Sequence, residues 1–299
     1  MRLLLIAAGL AAAACSREPS APAASAAPDA TPLSAPEAAA QTRPVLEPLW
    51  IAEGFSAPEG VAPAPDGSYF ISNVGGEEVD GDGYVSRLGP DGTLISERFI
   101  DALDGPKGMA VHEGVLYVAD NTRVRTFDAA TGEAGAVIDI PDASFLNDAT
   151  VWNGEVYVSD SATARIWRLT ADGPALWREG EELSGVNGLL GVGDAMLIST
   201  MTSGSLFEAT TDGGWRTIAT GMIDADGIGV VPAAAGGGYL VSSWPGEIHH
   251  VANNGEVTKL IDTRADEILQ NDLTIFGDIV IVPNWEPGTV TASRIKSAD

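Results

Sequence analysis

A short polar motif recurs along the chain, and each copy is followed by an apolar residue that could begin a buried strand. The six copies are Pro58-Glu59-Gly60, Pro106-Lys107-Gly108, Leu146-Asn147-Asp148, Val186-Asn187-Gly188, Ala225-Asp226-Gly227 and Gln270-Asn271-Asp272. Their middle residues are two carboxylates, three amides and one amine, without cysteine or histidine. Carboxylate and amide oxygens are the ligands that hard cations prefer, Ca²⁺ above all. If the six middle residues meet in the fold, they therefore predict a divalent metal site.

In such a site Glu59 and Asp226 would neutralise the charge of the ion, while Asn187 and Asn147 would supply neutral oxygens. The donor set favours Ca²⁺ and leaves Zn²⁺, Mn²⁺ and Mg²⁺ open. The alternative is a metal-free cap, because buried polar groups can also satisfy one another. Turn chemistry alone also favours Asn, Asp and Gly at strand entries.

The elements that must position these residues are short strands. Runs rich in Val, Ile, Tyr and Trp are separated by Asp-Gly, Asn-Gly and Gly-Gly pairs, a pattern typical of β-hairpins. The runs are SYFISNV, VLYVADN, EVYVSDS, AMLISTM, GYLVSSW and IVIVPNW. A repeat of about 40 residues with about four strands per unit is typical of a β-propeller with one blade per repeat.

Six repeats predict an all-β, six-bladed propeller over residues 44–299. The last repeat is one strand short, whereas the segment Val45–Ile51 precedes the first repeat. We expect this N-terminal strand to complete the last blade and close the ring, which removes an open edge. A β-sandwich or an open solenoid would explain neither the deficit at one end nor the surplus at the other.

The motifs resemble those of the senescence-marker-protein/gluconolactonase family, which includes regucalcin and the luciferin-regenerating enzyme and is related to the paraoxonases. The resemblance covers residues 45 to 296. It implies a six-bladed propeller in which Glu59, Asn187 and Asp226 bind a divalent metal. It also implies that Asn147 contacts the substrate.

The resemblance favours a metal-dependent hydrolase that opens a lactone or related ester, with Asp226 as general base. The other hypothesis is a non-catalytic propeller that binds a ligand or scaffolds a complex of the cell envelope, because strictosidine-synthase-like relatives share the fold without this chemistry. Asn271 is a possible further member of the ring.

Lys107 departs from the pattern of the characterised lactonases, because an ammonium group would repel a metal ion. We expect it to point aside, to pair with a carboxylate such as Asp104 or Asp148, or to recognise a carboxylate of the substrate.

The first 14 residues combine one arginine with an apolar, alanine-rich run and predict a secretory signal peptide. Cys15 is the only cysteine of the chain and stands where a lipoprotein signal is cleaved and lipidated. Ser16 follows it, which implies the outer membrane and a domain facing the periplasm. The Ala-, Pro- and Ser-rich segment up to residue 43 predicts a flexible tether. The alternative is an ordinary signal peptide with an incidental cysteine.

The chain has 42 acidic and 16 basic residues and a net charge of −26. This charge argues against a nucleic-acid partner, which requires a basic surface, and leaves the lipid anchor as the only expected contact with the membrane. A small molecule, such as a lactone, is the expected partner, and the sequence does not identify a protein partner.

Overall fold

Strands make up most of the chain that the structure describes. The structure is a computed structural model that describes residues 43–76, 79 and 81–298. The predicted signal peptide, Cys15 and all of the predicted tether except residue 43 lie outside the described residues. Within these residues the fold is an all-β, six-bladed propeller, as the repeats predict.

The strands follow one another in chain order, four to each of the first five blades. The first strand is β1 (Pro44–Glu53), and the first blade contains β2 (Pro58–Pro63), β3 (Tyr69–Asn73), β4 (Gly83–Leu88) and β5 (Leu94–Leu103). The second and third blades contain β6 (Pro106–His112), β7 (Val115–Asp120), β8 (Arg123–Asp128), β9 (Ala134–Asp139), β10 (Leu146–Trp152), β11 (Glu155–Asp160), β12 (Arg165–Thr170) and β13 (Gly173–Glu179). The fourth and fifth contain β14 (Val186–Val192), β15 (Ala195–Thr200), β16 (Ser205–Thr210), β17 (Trp215–Ala219), β18 (Ala225–Val230), β19 (Tyr239–Ser243), β20 (Glu247–Val251) and β21 (Val257–Asp262). The sixth blade contains β22 (Leu269–Gln270), β23 (Thr274–Phe276), β24 (Ile279–Glu286) and β25 (Thr289–Ser297), and β1 pairs antiparallel with β25.

The innermost strands contact one another around a central axis. Strand β2 packs on β6, β6 on β10, β10 on β14 and β14 on β18, and the circle returns through β23 and β24 to β2. Hydrophobic clusters fill the spaces between neighbouring blades; Phe70 of β3 and Leu116 of β7, for example, share one cluster and are fully buried. Each such side chain stabilises the fold by about 1.5–3 kcal/mol.

Helices are almost absent from the described residues. They comprise three single-turn 3₁₀-helices at Glu181–Leu183, Ala233–Ala235 and Arg264–Asp266. No helix in this part of the chain is long and apolar enough to span a membrane.

Each inner strand of the first five blades is irregular at the predicted site residue. The pairing register shifts between Pro58 and Val61 in the first blade and at the matching positions of the next four. In the sixth blade the inner strand is interrupted between β22 and β23, where Asn271 lies. A bulge re-aims side chains and is common beside functional sites. The repeated motif is therefore a repeated bulge.

A serine on the second strand replaces the lost backbone hydrogen bond at four of these bulges. In the first blade the hydroxyl of Ser72 accepts the N–H of Gly60 at 2.7 Å. The equivalent serines of the third, fourth and fifth blades are Ser159, Ser199 and Ser242. Glycine suits the bulge because the next blade is close: a methyl group at Gly60 would lie 2.9 Å from the carbonyl oxygen of Lys107.

Candidate functional site

A cavity of about 180 Å³ at one mouth of the channel contains all six residues predicted from the repeats. The structure therefore brings together side chains that are far apart in the sequence. The lining consists of Glu59, Lys107, Asn147, Asn187, Asp226 and Asn271, which we call the polar ring, together with Phe145, Met201, Trp244 and Trp285.

Five members of the polar ring are buried. The exposed fractions are 4% for Glu59, 5% for Asn147, 3% for Asn187, 3% for Asp226 and 6% for Asn271. Across residues 43–76, 79 and 81–298, none of these five side chains makes a hydrogen bond to another protein group. Buried polar groups usually have a partner. Within the described residues the polar ring therefore does not satisfy its own hydrogen-bonding groups.

Burial shifts the titration of both carboxyl groups. The pKa of Asp226 is raised to about 7, mainly by burial and also by the charge of Asp148, while Lys107 opposes the shift. Burial also raises the pKa of Glu59, again opposed by Lys107. Both groups therefore favour the protonated form more than ordinary carboxyls do, unless a cation stabilises their charge.

The ammonium group of Lys107 lies 4.0 Å from Oε1 of Glu59. Its partner is thus a member of the polar ring rather than Asp104, which instead pairs with Arg123 at 2.6 Å. Asp148, the other expected partner, accepts the backbone N–H groups of Ala149 and Leu189, both at 2.7 Å. Lys107 does not point away from the cavity.

Apart from Lys107, whose ammonium group would repel a cation, the members of the polar ring have the donor chemistry of a hard divalent cation site. Two carboxylates can balance the charge of the ion, and the amide oxygens of Asn187, Asn147 and Asn271 complete a set without nitrogen or sulfur donors. No cluster of three or more His, Cys, Asp and Glu side chains suited to a metal occurs in the described part of the chain. A cation here would therefore depend on amide oxygens as well as on Glu59 and Asp226.

Two aspartates that the sequence analysis did not single out hold the loops leading into the site. Oδ1 of Asp120 accepts the N–H groups of Asp104 and Gly105, each at 2.8 Å, just before Lys107. Asp160 accepts the N–H groups of Ser144 and Phe145 in the same way, just before Asn147. Both aspartates end the second strand of their blade, so alignment of the runs VLYVADN and EVYVSDS could have identified them.

Asp148 and Asp272 form a second acidic layer beneath the polar ring. They occupy the bulge position that is glycine in the other four blades. Both also line a separate cavity of about 250 Å³ that is otherwise largely apolar. Burial raises the pKa of each, and in Asp272 the charges of Asp148 and Asp226 add to the effect.

Comparison with protein families matches residues 81–214, less than half of the chain, to the family described as outer membrane protein assembly factor BamB. Among curated proteins, none matches the chain. These findings support a propeller with a BamB-like segment.

Solved structures with a similar fold include two enzymes and a chain of a protein complex. A gluconolactonase from Xanthomonas campestris has a TM-score of 0.66 and 17% identity, over 87% of this chain and 93% of that chain. A virginiamycin B lyase from Staphylococcus aureus has a TM-score of 0.58 and 14% identity, over 86% of this chain and 88% of that chain. A chain of a nidogen/laminin complex has a TM-score of 0.60 and 13% identity, over 73% of this chain and 94% of that chain. At these identities the likeness establishes the six-bladed propeller fold and not the activity.

Proposed function

We propose that the protein is a metal-dependent hydrolase of the gluconolactonase-like type, which opens a lactone or related ester in its central channel. The observation that supports this proposal most is the polar ring, whose buried oxygens make no hydrogen bond within the described part of the protein. Burial of two carboxylates without hydrogen-bonding partners costs free energy. A bound cation and substrate would offset that cost.

Glu59, Asn187 and Asp226 would hold the ion, with Ca²⁺ favoured over Zn²⁺, Mn²⁺ or Mg²⁺. When bound, such an ion polarises the carbonyl group of the substrate and stabilises the negative charge that develops on its oxygen. The amide of Asn147 would orient the substrate.

Asp226 would act as general base. Its carboxylate accepts a proton from the attacking water while the water oxygen bonds to the carbonyl carbon. The bond from that carbon to the ring oxygen then breaks, and the proton passes to the departing alkoxide.

Hydrolysis of lactones by the purified protein tests this proposal. Turnover should be present with added Ca²⁺, fall to background after chelation and return when a divalent ion is restored. An absence of turnover with each of Ca²⁺, Zn²⁺, Mn²⁺ and Mg²⁺, across sugar, alkyl and aryl lactones, would contradict it.

A second candidate is a non-catalytic propeller that binds a ligand or scaffolds an envelope complex. The match of residues 81–214 to the BamB family model favours this function. It predicts partner capture in the cell envelope that is unchanged in Asp226→Asn, whereas the hydrolase depends on that carboxylate.

We further propose that Cys15 is lipidated after removal of residues 1–14 and that the protein faces the periplasm from the outer membrane. The pairing of β1 with β25 would close the ring of blades. Incorporation of labelled palmitate, lost in Cys15→Ser, tests the anchor. Equal labelling of the variant would contradict it.

A further inference from the structure

A second cavity opens beside the polar ring. Its volume is about 280 Å³, and it shares Lys107, Phe145 and Trp285 with the ring cavity. Val74, the first residue after β3, lines this side cavity and not the ring cavity. The two cavities are therefore neighbours with a common wall.

The common wall combines one cation with two aromatic rings. The ammonium nitrogen of Lys107 lies 4.9 Å from the centre of the Phe145 ring and 5.8 Å from that of Trp285. Its side chain is only 12% exposed, and Glu59 at 4.0 Å is too far away for a hydrogen bond. Lys107 therefore has donors to offer an acceptor atom of a ligand at the junction of the two cavities.

Away from the polar ring, the described lining of the two cavities is mostly apolar. Beyond the polar ring, the mouth presents Phe145, Met201, Trp244 and Trp285. Phe145 is 42% exposed, although it is a large apolar side chain. Exposed apolar surface that borders a cavity commonly marks a binding site. The side cavity adds Val74 and Val79 as apolar contacts, and its polar side chains besides Lys107 are Asn121 and Asp104, which already pairs with Arg123. Away from the polar ring, the described walls therefore offer more apolar contact than hydrogen-bonding partners.

We infer that the substrate is a lactone or cyclic ester that bears an apolar arm, an alkyl chain or an aromatic ring. The reacting carbonyl lies over the polar ring, the arm occupies the side cavity against Val74, Phe145 and Trp285, and an acceptor atom near the junction receives a hydrogen bond from Lys107. This inference rests on the proposed function for the reaction and on the side cavity for the arm.

The test compares γ-butyrolactone, which has no arm, with γ-decalactone, which bears a six-carbon arm. The wild-type protein with Ca²⁺ should show a kcat/KM at least tenfold higher for γ-decalactone, because each buried methylene adds to discrimination. Val74→Asp should remove most of that preference, measured as the ratio of the kcat/KM values for the two lactones. Val137→Asp, which alters an exposed valine on β9, is the matched control. Val74→Thr, which is nearly isosteric, should produce a smaller loss of the same kind and guards against misfolding of the aspartate variant.

Binding to chelator-treated protein tests the apolar-arm site, which is the side cavity as the place of the substrate's arm, separately from the hydrolase activity. Quenching of tryptophan fluorescence should report tighter binding of γ-decalactone than of γ-butyrolactone, weakened by Val74→Asp, even without turnover. Binding of this kind without hydrolysis under any metal condition would support the apolar-arm site and overturn the hydrolase. Hydrolysis with equal kcat/KM for both lactones, or a preference that Val74→Asp leaves intact, would overturn the apolar-arm site and leave the hydrolase standing.

Discussion

Two groups of buried carboxylates in this propeller have very different neighbours. Glu247 in the fifth blade is 4% exposed and contacts three basic side chains: Lys259 at 2.9 Å, Arg264 at 2.5 Å and His249 at 3.2 Å. Glu59 is equally buried, but only Lys107 approaches it, at 4.0 Å. No ion pair reaches Asp226 within the described part of the chain.

The difference separates a structural charge from a functional one. A buried carboxylate is tolerated when partners compensate its loss of water. Glu247 receives that compensation from its own blade and from the 3₁₀-helix that follows it. Its buried charge therefore requires no ligand. The carboxylates of the polar ring lack such compensation in the protein itself. This arrangement is expected of a ligand-binding site.

The largest expected effect is on catalysis by Asp226→Asn. The substitution retains shape but removes the base and one charge for the cation, so kcat/KM for lactone hydrolysis should fall roughly 100-fold or more. Steady-state kinetics with added Ca²⁺ would measure this loss. Glu247→Gln, the matched substitution at the fully paired carboxylate, should retain activity within a factor of about two or three. Similar losses of kcat/KM in both variants would contradict the distinction between Glu247 and the carboxylates of the polar ring.

The next effect concerns the stability contributed by Glu247. Glu247→Gln leaves Lys259 and Arg264 without their buried partner, and breaking a fully buried pair costs about 3–5 kcal/mol. Because both cations are about 40% exposed, the expected loss is smaller, about 2 kcal/mol in the free energy of unfolding. Denaturant unfolding would measure it. An unchanged midpoint would show that these ion pairs contribute nothing.

Removing a charge from the polar ring should not destabilise the protein as Glu247→Gln does. In chelator-treated protein, Glu59→Gln replaces an uncompensated acid with a neutral amide of the same shape, so the protein should be unchanged or more stable by up to about 1 kcal/mol. Denaturant unfolding under the same conditions provides the direct comparison with Glu247→Gln. A loss of stability as large as that of Glu247→Gln would mean that Glu59 is also a structural charge.

The smallest effect is a pH dependence in the Glu247 cluster. Burial lowers the pKa of His249, although Glu247 opposes the shift. The folded state therefore favours neutral His249, and its contribution to stability is present above the unfolded value of about 6.5 and is lost as pH falls through the lower folded value. Unfolding measured between pH 8 and pH 5 should lose stability more steeply in the wild type than in His249→Gln. Identical slopes would contradict this assignment.

The repeat in the sequence was sufficient to predict the propeller, the number of blades and the residues that meet at the channel mouth. These features follow from rotation about one axis, which turns a column of aligned residues such as Glu59 and Asp226 into a ring. The bulges at these positions were not predicted, because they are visible only in the pairing of the strands.

The remaining features depend on distances that repetition does not encode. Lys107 pairs with Glu59 across a blade boundary, and no spacing rule distinguishes that partner from Asp104. The side cavity at Val74 is formed by connections that differ from blade to blade. Whether the polar ring satisfies its own hydrogen bonds depends on differences of about one ångström between side chains, which only coordinates provide.

The central claim is that the polar ring is a cation site, and the most direct measurement is elemental analysis of the purified protein. We predict close to one divalent ion per chain, removed by chelation and restored by added Ca²⁺, with a matching gain in thermal stability. In Glu59→Gln both the bound ion and the gain should be lost, whereas Glu247→Gln should keep both. A wild-type protein that holds no divalent ion and gains no stability from Ca²⁺, Zn²⁺, Mn²⁺ or Mg²⁺ would contradict the account.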